Sequence, residues 1–542
     1  MSKVNGGLLA IKALKNEGVR CIFGLSGGHI DPFLQACLKE NVRIVDSRHE
    51  QGATFMAEAW ARVTGQPGIA LATAGPGVTN TITSIWNSLE CQVPVILLGG
   101  RSDLSQFDLG SPQEISSLPL VASVTKWSKT VYETKRIPEY ISMAYRQALS
   151  GRPGPVYLEI PWDVLLNEVD DEDVTFPTNY RSSGRVQGDS NLVKKAVELL
   201  LGAEKPIVIA GSGIWWSQAA QELKEFIDLF KLPLILTQMG RGCVPEDHPL
   251  CFGPTKVGTR QADVVLLIGT RLTHNLNYGR PGFFNDTAKW IQIDIEPTEV
   301  GRNRPIDIGI VGDAKAVLIQ MIEEARDRCK ERNEIPWIEE CREYVKKRQE
   351  KANADMNSDS VPIHPARLCR EVRDFLDRDA TIITDGGDTT LWGAAILRSY
   401  EPGHWLDNVP TGALGPGIPY AVAAKVARPD KQVCLVTGDG SFGFNAMEFD
   451  TMVRLNIPVV CVICNDESWG MVMHLQLENG GQPVATQLGF RPYHKMVQSL
   501  GGYGEAVERP EDIRPALERA FKSGLPACIN VRCLSVSRSI RR

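Results

Sequence analysis

Val436-Thr437-Gly438-Asp439-Gly440-Ser441-Phe442 and Val462-Ile463-Cys464-Asn465-Asp466-Glu467-Ser468-Trp469-Gly470 decide how the rest of the chain is read. Lys431 to Thr437 is a short β-branched run and reads as a buried strand. It stops at Gly438-Asp439-Gly440, where two glycines let the backbone approach a large anion and leave a carboxylate free at the strand end. Phe444, Met447, Glu448, Met452 and Val453 then recur at helical spacing, and Ile457 to Cys464 reads as a second apolar strand. Neighbouring parallel strands place Asp439 and Asp466, 27 positions apart, on one carboxyl edge. Hard oxygen ligands there suit Mg²⁺ or Ca²⁺, and Mg²⁺ typically uses one or two carboxylates plus substrate phosphates. A lone Gly-Asp-Gly is often only a turn, and Asn-Asp after a strand only a helix cap. The order strand, Gly-Asp-Gly-Ser, helix, strand, Asn-Asp favours a metal-bridged diphosphate site.

Outside these stretches, strands alternate with helices and end in Gly-rich turns. Cys21 to Leu25 breaks at Ser26-Gly27-Gly28-His29, Val42 to Val45 ends in Asp46-Ser47-Arg48-His49-Glu50, and Gly68 to Thr73 ends in Ala74-Gly75-Pro76-Gly77. Further apolar runs lie at Val93–Leu98, Pro155–Trp162, Pro206–Ala210, Pro233–Leu236, Val264–Ile268, Trp290–Ile295, Thr381–Thr384 and Ala527–Val531. This rhythm predicts three consecutive open parallel-sheet α/β domains with ligand groups at the strand carboxyl ends. The expected boundaries are 1–180, 190–345 and 361–542. Linkers are expected over Asp170–Asp189 and Ala352–Ser360. The first and third segments share the same rhythm, which suggests related folds.

The 542 residues, 43% hydrophobic with 49 Gly, match a large α/β enzyme. A net charge of −6 argues against nucleic-acid or membrane-surface partners. Thirteen Cys without paired or zinc spacing read as reduced cytosolic thiols. With no signal-peptide pattern and no long apolar run, a soluble cytoplasmic protein is expected.

Gly438-Asp439-Gly440, a gap in the mid-twenties and an Asn-containing pair resemble the signature of the thiamine diphosphate enzymes. The resemblance implies the cofactors thiamine diphosphate and Mg²⁺. Its metal ligands would be Asp439, Asp466 and the Ser468 carbonyl, with Asn465 as runner-up because Asp466 stands where the family usually has Asn. Arg48-His49-Glu50 matches the family motif whose Glu lies beside the aminopyrimidine and drives the tautomer that removes the thiazolium C2 proton. On residue type alone, Glu50 is equally a first-turn Glu favoured by the helix dipole. By the same matching, Leu414 wedges beneath the cofactor, while Gly387, Asp388 and Thr389 flank it. Gly438, Gly440 and Ser441 take the diphosphate. Gly28, Thr73, Gly412, Trp469, Gly470 and Met471 complete the cofactor set, and Trp469, Met471 and Met473 are expected to shape the substrate pocket.

The resemblance covers nearly the whole chain and divides among three branches. Phe23 to Asp31, Thr125-Lys126-Trp127 and Glu448-Phe449-Asp450-Thr451 resemble benzaldehyde lyase, which implies that His29 and Gln113 handle protons on a substrate hydroxyl. Gly110-Ser111-Pro112-Gln113-Glu114 and Phe442 to Glu448 are similar to the 2-hydroxyacyl-CoA lyase and oxalyl-CoA decarboxylase branch. That likeness adds Glu114 to the catalytic set. It implies an ADP or CoA site at Arg152, Gly211, Arg271, Asp294, Ile295 and Asp313, with ADP as a bound effector. The basic end, Arg538 to Arg542, is expected either to fray or to fold over CoA phosphates. Arg48 to Glu58 and Gly75 to Asn80 resemble acetolactate synthase, but Thr237 to Gly242 and Cys251-Phe252-Gly253-Pro254 depart from its FAD-binding pattern, so FAD is not expected. The expected activity is a carbon–carbon lyase or carboligase joining formyl-CoA to an aldehyde or ketone. Acetolactate synthase-like or benzaldehyde lyase-like carboligation is the alternative, and a non-catalytic cofactor-binding regulator the alternative of another class. Small-molecule or acyl-CoA substrates and a homodimer or homotetramer follow from the resemblance.

Overall fold

The computed structural model describes residues 3–329 and 333–538. Three parallel sheets carry the fold among these residues. The first runs Arg43–Asp46, Cys21–Gly24, Gly68–Ala72, Val95–Arg101, Val156–Pro161, Trp127–Thr130. The third runs Trp405–Leu406, Thr381–Asp385, Val433–Gly438, Val460–Asn465, Ala527–Arg532, Tyr503–Val507. By chain rank both read 2-1-3-4-6-5, so the shared rhythm of the two segments is a shared topology. The central sheet runs Leu234–Leu236, Pro206–Ala210, Val264–Ile268, Lys289–Asp294, Ile308–Val311, a 2-1-3-4-5 order. In each sheet the order reverses between ranks 1 and 3, and that crevice at the carboxyl ends is where open α/β sheets bind ligands.

Most of the apolar runs became inner strands, because a strand with helices on both faces is buried on both faces, while the strands Arg43–Asp46 and Leu234–Leu236 lie at sheet edges. Val264–Ile268 and Pro206–Ala210 are buried at every position. Four strands outside those runs, Trp127–Thr130, Ile308–Val311, Trp405–Leu406 and Tyr503–Val507, all lie at sheet edges. An edge strand has one hydrogen-bonded neighbour and tolerates polar side chains, so it need not carry a continuous apolar run, although the edge strand Leu234–Leu236 does. The segment after Gly440 also differs from expectation. The helix begins at Asp439 itself, stops at Phe442, and a second helix spans Glu448–Arg454. Phe444 and Met447 fall between the two and are exposed. The expected linker over 352–360 is shorter, because the helix Pro336–Met356 continues through Met356. Glu168–Asp170 pairs antiparallel with Lys3–Asn5 and ties the end of the first domain to its start.

The first and third domains share one core. Helix Glu50–Thr64 packs on helix Gly417–Ala427, and Phe55 meets Tyr420 edge-on at 5.9 Å. A buried polar knot lies across this seam. Glu58, fully buried, accepts from Asn87 Nδ2 at 2.9 Å, Ser88 Oγ at 2.9 Å and Tyr420 OH at 2.5 Å. Arg62 stands 3.5 Å from Glu58 and donates to the Asp407 carbonyl at 2.8 Å. Burial pushes the Glu58 carboxyl up and Arg62 pulls it back. Arg62→Met therefore leaves an uncompensated buried carboxylate, and an equilibrium urea titration should show a loss of about 3–5 kcal/mol. An unchanged midpoint would mean that Glu58 is neutral in the fold.

Candidate functional site

The third sheet places the quoted stretches at its switch point. Strand Thr381–Asp385 ends in Asp385-Gly386-Gly387, and its neighbour Val433–Gly438 ends in Asp439-Gly440. Gly386 has φ +105°, a conformation side-chain-bearing residues rarely adopt, and it lets the two turns touch. Asp385 is buried and organises the next loop. Its Oδ1 accepts the Gly386 N–H at 2.7 Å, and its Oδ2 accepts the N–H groups of Gly415 at 3.1 Å and Gly417 at 2.9 Å. Burial pushes this carboxyl up to about 6. Leu414, half-buried, precedes the first of those donors, so Asp385 fixes the loop that presents it.

Asp439 opens helix Asp439–Phe442, with Gly438 at the N-cap. It is 2% exposed, and its Oδ2 is buried without a hydrogen-bond partner. Asp466 follows strand Val460–Asn465 and lies within hydrogen-bonding reach of Asp439. Burial and their mutual repulsion push Asp439 up; burial pushes Asp466 up. The Asp466 Oδ2 accepts from Ser468 Oγ at 3.1 Å and Ser535 Oγ at 2.8 Å. Asn465 is committed elsewhere: its Nδ2 donates to Asn530 Oδ1 at 3.0 Å, and its Oδ1 accepts the Glu467 N–H at 3.1 Å. The geometry therefore offers Asp466, rather than Asn465, as the second carboxylate or amide ligand. Among the described residues no group of three His, Cys, Asp or Glu side chains could hold a metal. Two carboxylates, one with an orphaned oxygen, fit a hard cation completed by a backbone carbonyl and phosphate oxygens.

The remaining expected cofactor residues border this crevice. A Cβ on Gly440 would sit 2.5 Å from the Trp469 ring, so the bare backbone is what admits that indole. Gly387 touches Met471, and Gly470 touches Asp466. Ser441 Oγ accepts the Gly415 N–H at 3.1 Å, and Thr389 is buried beside Gly438. Gly412 is exposed on the Leu414 loop. Asp388 lies 3.0 Å from His474 Nδ1, and His474 Nε2 lies 3.3 Å from Ser535 Oγ. His474 and Ser535 were not expected from sequence, because neither stands in a recognisable motif.

In the first sheet, Glu50 starts helix Glu50–Thr64 and is 7% exposed. Asn80 Nδ2 donates to its Oε2 at 2.9 Å. The His29 Nδ1 and Thr73 Oγ1 are buried without partners at the same carboxyl edge. Gly28 is exposed next to His29, and Gln113 is exposed with its backbone against Gly75. Glu114 is tied into its own loop. Its carboxylate accepts the N–H groups of Asp108 at 2.5 Å, Gly110 at 2.9 Å and Ser111 at 3.0 Å, and these donors hold it below the usual carboxylate range. It closes the 108–114 loop.

The central sheet gathers some of its expected residues. Asp294 ends strand Lys289–Asp294, is 7% exposed and is pushed up to about 6 by burial, with Arg152 and Arg271 acting against that shift. Arg152 pairs with Glu299 at 2.8 Å, and Arg271 donates to the Glu90 carbonyl. Gly211 follows strand Pro206–Ala210 and lies against Thr270, and Ile295 is half-buried after Asp294. Asp313 is half-buried at a helix start. It caps helix Ala314–Ala325 through the Ala316 N–H and pairs with Arg185 at 2.9 Å. At the chain end, Arg538 is anchored rather than frayed. Its guanidinium lies 5.0 Å over the Trp392 ring and donates to the Leu391 carbonyl at 2.8 Å. Ser539, Ile540, Arg541 and Arg542 lie outside the described residues.

Family models of thiamine pyrophosphate enzymes match the chain three times: the N-terminal binding domain over 4–120, the central domain over 193–321 and the C-terminal binding domain over 385–531. The chain belongs to the thiamine pyrophosphate enzyme family. A probable acetolactate synthase of Mycobacterium bovis is 36% identical over 533 residues, covering 97% of this chain and 95% of that protein. A 2-hydroxyacyl-CoA lyase of Arabidopsis thaliana is 30% identical over 548 residues, covering 97% and 95%. A 2-hydroxyacyl-CoA lyase 2 of Bos taurus is 32% identical over 575 residues, covering 97% and 90%. The two thiamine pyrophosphate binding domains hold Glu50 and Asp439 respectively, so the two carboxyl edges described above belong to the domains that name the family. No described helix is long and apolar enough to cross a membrane, and all thirteen Cys are buried.

Proposed function

We propose that this thiamine pyrophosphate family member is a Mg²⁺-dependent carbon–carbon lyase or carboligase of the 2-hydroxyacyl-CoA type. The reaction breaks or makes the bond between C1 and C2 of a 2-hydroxyacyl-CoA. In cleavage the C2 hydroxyl gives up its proton to become an aldehyde or ketone, and C1 takes a proton to leave as formyl-CoA. The observation carrying this branch is the cluster at the central domain's carboxyl edge. Arg152 and Arg271 beside the buried Asp294 offer cations for phosphate and an acceptor for a ribose hydroxyl.

Asp439, Asp466 and the Ser468 carbonyl would hold Mg²⁺ and with it the diphosphate. Bound thiamine diphosphate supplies a nucleophilic carbon and then holds the charge left when the C–C bond breaks. Glu50, oriented by Asn80, holds the proton that activates that carbon. His29, whose Nδ1 lacks a protein partner, and the exposed Gln113 orient the substrate hydroxyl. Leu414 would pack against the cofactor, and Trp469 with Met471 would line the substrate side. Exposed Trp86, Leu120, Phe444 and Met447 support burial of this region against a second copy, in a homodimer or homotetramer.

Incubation with thiamine diphosphate, Mg²⁺, formyl-CoA and acetone or formaldehyde should yield a 2-hydroxyacyl-CoA. A second reading, acetolactate formation from pyruvate, is favoured by the 36% identity to the Mycobacterium bovis relative. Acetolactate without any 2-hydroxyacyl-CoA would overturn the first reading, and a yellow protein carrying FAD would support the second.

A further inference from the structure

Glu448 is nearly as buried as any carboxylate in the molecule, 1% exposed, and the site described above does not use it. It stands at the start of helix Glu448–Arg454, nine residues after Asp439 in the third domain. Its carboxylate reaches into the first domain. Oε1 accepts the Arg48 N–H at 2.9 Å, Oε2 accepts Thr451 Oγ1 at 2.7 Å, and the His49 N–H acts on the same group. Arg48 and His49 are the two residues before Glu50 and lead into the helix that Glu50 opens. The helix itself is shaped to admit this carboxylate: a Cβ on Gly52 would lie 2.6 Å from Glu448 Oε1.

Neighbouring contacts reinforce the seam. Asn445 Nδ2 reaches Gln51 Oε1 at 3.4 Å while donating to the Gly415 carbonyl at 2.8 Å, beside Leu414. Thr451 Oγ1 also donates to the Asp46 carbonyl at 3.3 Å. Arg454 pairs with Asp46 at 2.7 Å and Asp450 at 2.8 Å, and Arg48 lies 3.5 Å from Asp450. A carboxylate aimed at N–H groups leading into a helix is favoured by the helix dipole as well as by the bonds themselves.

We propose that Glu448 is a positioning residue for Glu50: from the third domain it fixes the Arg48–His49 backbone and so sets where the Glu50 carboxyl sits against the cofactor. The proposal rests on the reading of Glu50 as the proton-handling group. Burial pushes Glu448 up to about 7, which the His49 and Arg48 N–H donors and Thr451 oppose. Its alignment is a condition for catalysis because a misplacement of about 1 Å in reacting geometry costs on the order of 100-fold in rate.

The test uses the full-length holoenzyme with thiamine diphosphate and Mg²⁺ and follows exchange of the cofactor C2 proton for deuterium, which needs no substrate. Glu448→Ala should slow that exchange about 10–100-fold while cofactor affinity stays within about threefold. Glu448→Gln, which keeps an acceptor for the Arg48 N–H, should recover most of the rate. Gly52→Ala should slow exchange by displacing the same carboxylate, and Gly52→Ala with Glu448→Ala should be no slower than the worse single variant. In the apo protein, amide hydrogen exchange over residues 46–52 should accelerate in Glu448→Ala. Wild-type C2 exchange in Glu448→Ala, or single-variant effects that multiply in the double variant, overturns the proposal. Glu50→Gln is run alongside. If it exchanges at the wild-type rate, the reading of Glu50 falls, while amide exchange over 46–52 still decides whether Glu448 holds that backbone.

Discussion

Glu50→Gln should lower kcat by about 10²–10⁴-fold, the range a single general acid or base contributes, with thiamine diphosphate and Mg²⁺ binding nearly unchanged. The side chains are isosteric, and Asn80 Nδ2 can still donate to the amide oxygen. Helix Glu50–Thr64 keeps its His49 cap, whose Nδ1 accepts the Gln51 N–H at 3.1 Å. What is lost is the ionisable proton. Removing a first-turn Glu from an exposed helix start would cost only a few tenths of a kcal/mol and no turnover. The experiment therefore separates the dipole role of Glu50 from the proton-handling role. Steady-state kinetics with calorimetric titration of the cofactor reads both quantities. Retention of full activity would sink the catalytic assignment.

The second large effect belongs to Asp439. Asp439→Asn should weaken thiamine diphosphate binding on the order of 100-fold or more at fixed Mg²⁺. The apo variant should unfold at the same or a higher temperature than apo wild type. Both expectations come from one geometry. The Asp439 Oδ2 is buried with no protein partner, and Asp466 repels the carboxylate. Two like charges in a dry crevice oppose folding until a cation joins them. Neutralising one relieves that repulsion and removes the ligand at once. Added Mg²⁺ and cofactor should raise the unfolding temperature of wild type by mass action and leave the variant nearly unmoved. Asp466→Asn should behave differently. Its amide oxygen can still face the metal, and the Ser468 and Ser535 hydroxyls can accept from the new amide. Cofactor binding within about tenfold of wild type is expected there. If Asp439→Asn instead lowers apo stability sharply, the pair is held by hydrogen bonding and not built for a cation.

The strand ends were readable because two glycines around an aspartate after a β-branched run restrict what the backbone can do. Asp439 and Asp466 emerged on one edge as their spacing required. The ambiguity between Asn465 and Asp466 was not readable. The structure adds a contact from 65 positions away: Asn465 Nδ2 donates to Asn530 Oδ1. Asp385 was hidden in plain sight at the end of an expected strand, since nothing local says that its oxygens hold Gly415 and Gly417. At Glu114 the tertiary structure adds what the motif does not show, three backbone N–H groups donating to the carboxylate.

The sequence by itself determined three parallel α/β units, their family and the residues at two strand-end turns. These follow from local patterning: a run of buried β-branched residues has few alternatives to an inner strand, and Gly-rich turns occur where a backbone must meet an anion. Edge strands, the single core joining the first and third domains, and the Glu448 contact on Arg48 were decided only by tertiary structure. An edge strand is defined by the neighbour it lacks. A buried carboxylate is defined by donors that arrive from 400 positions away, and no window along the chain contains both.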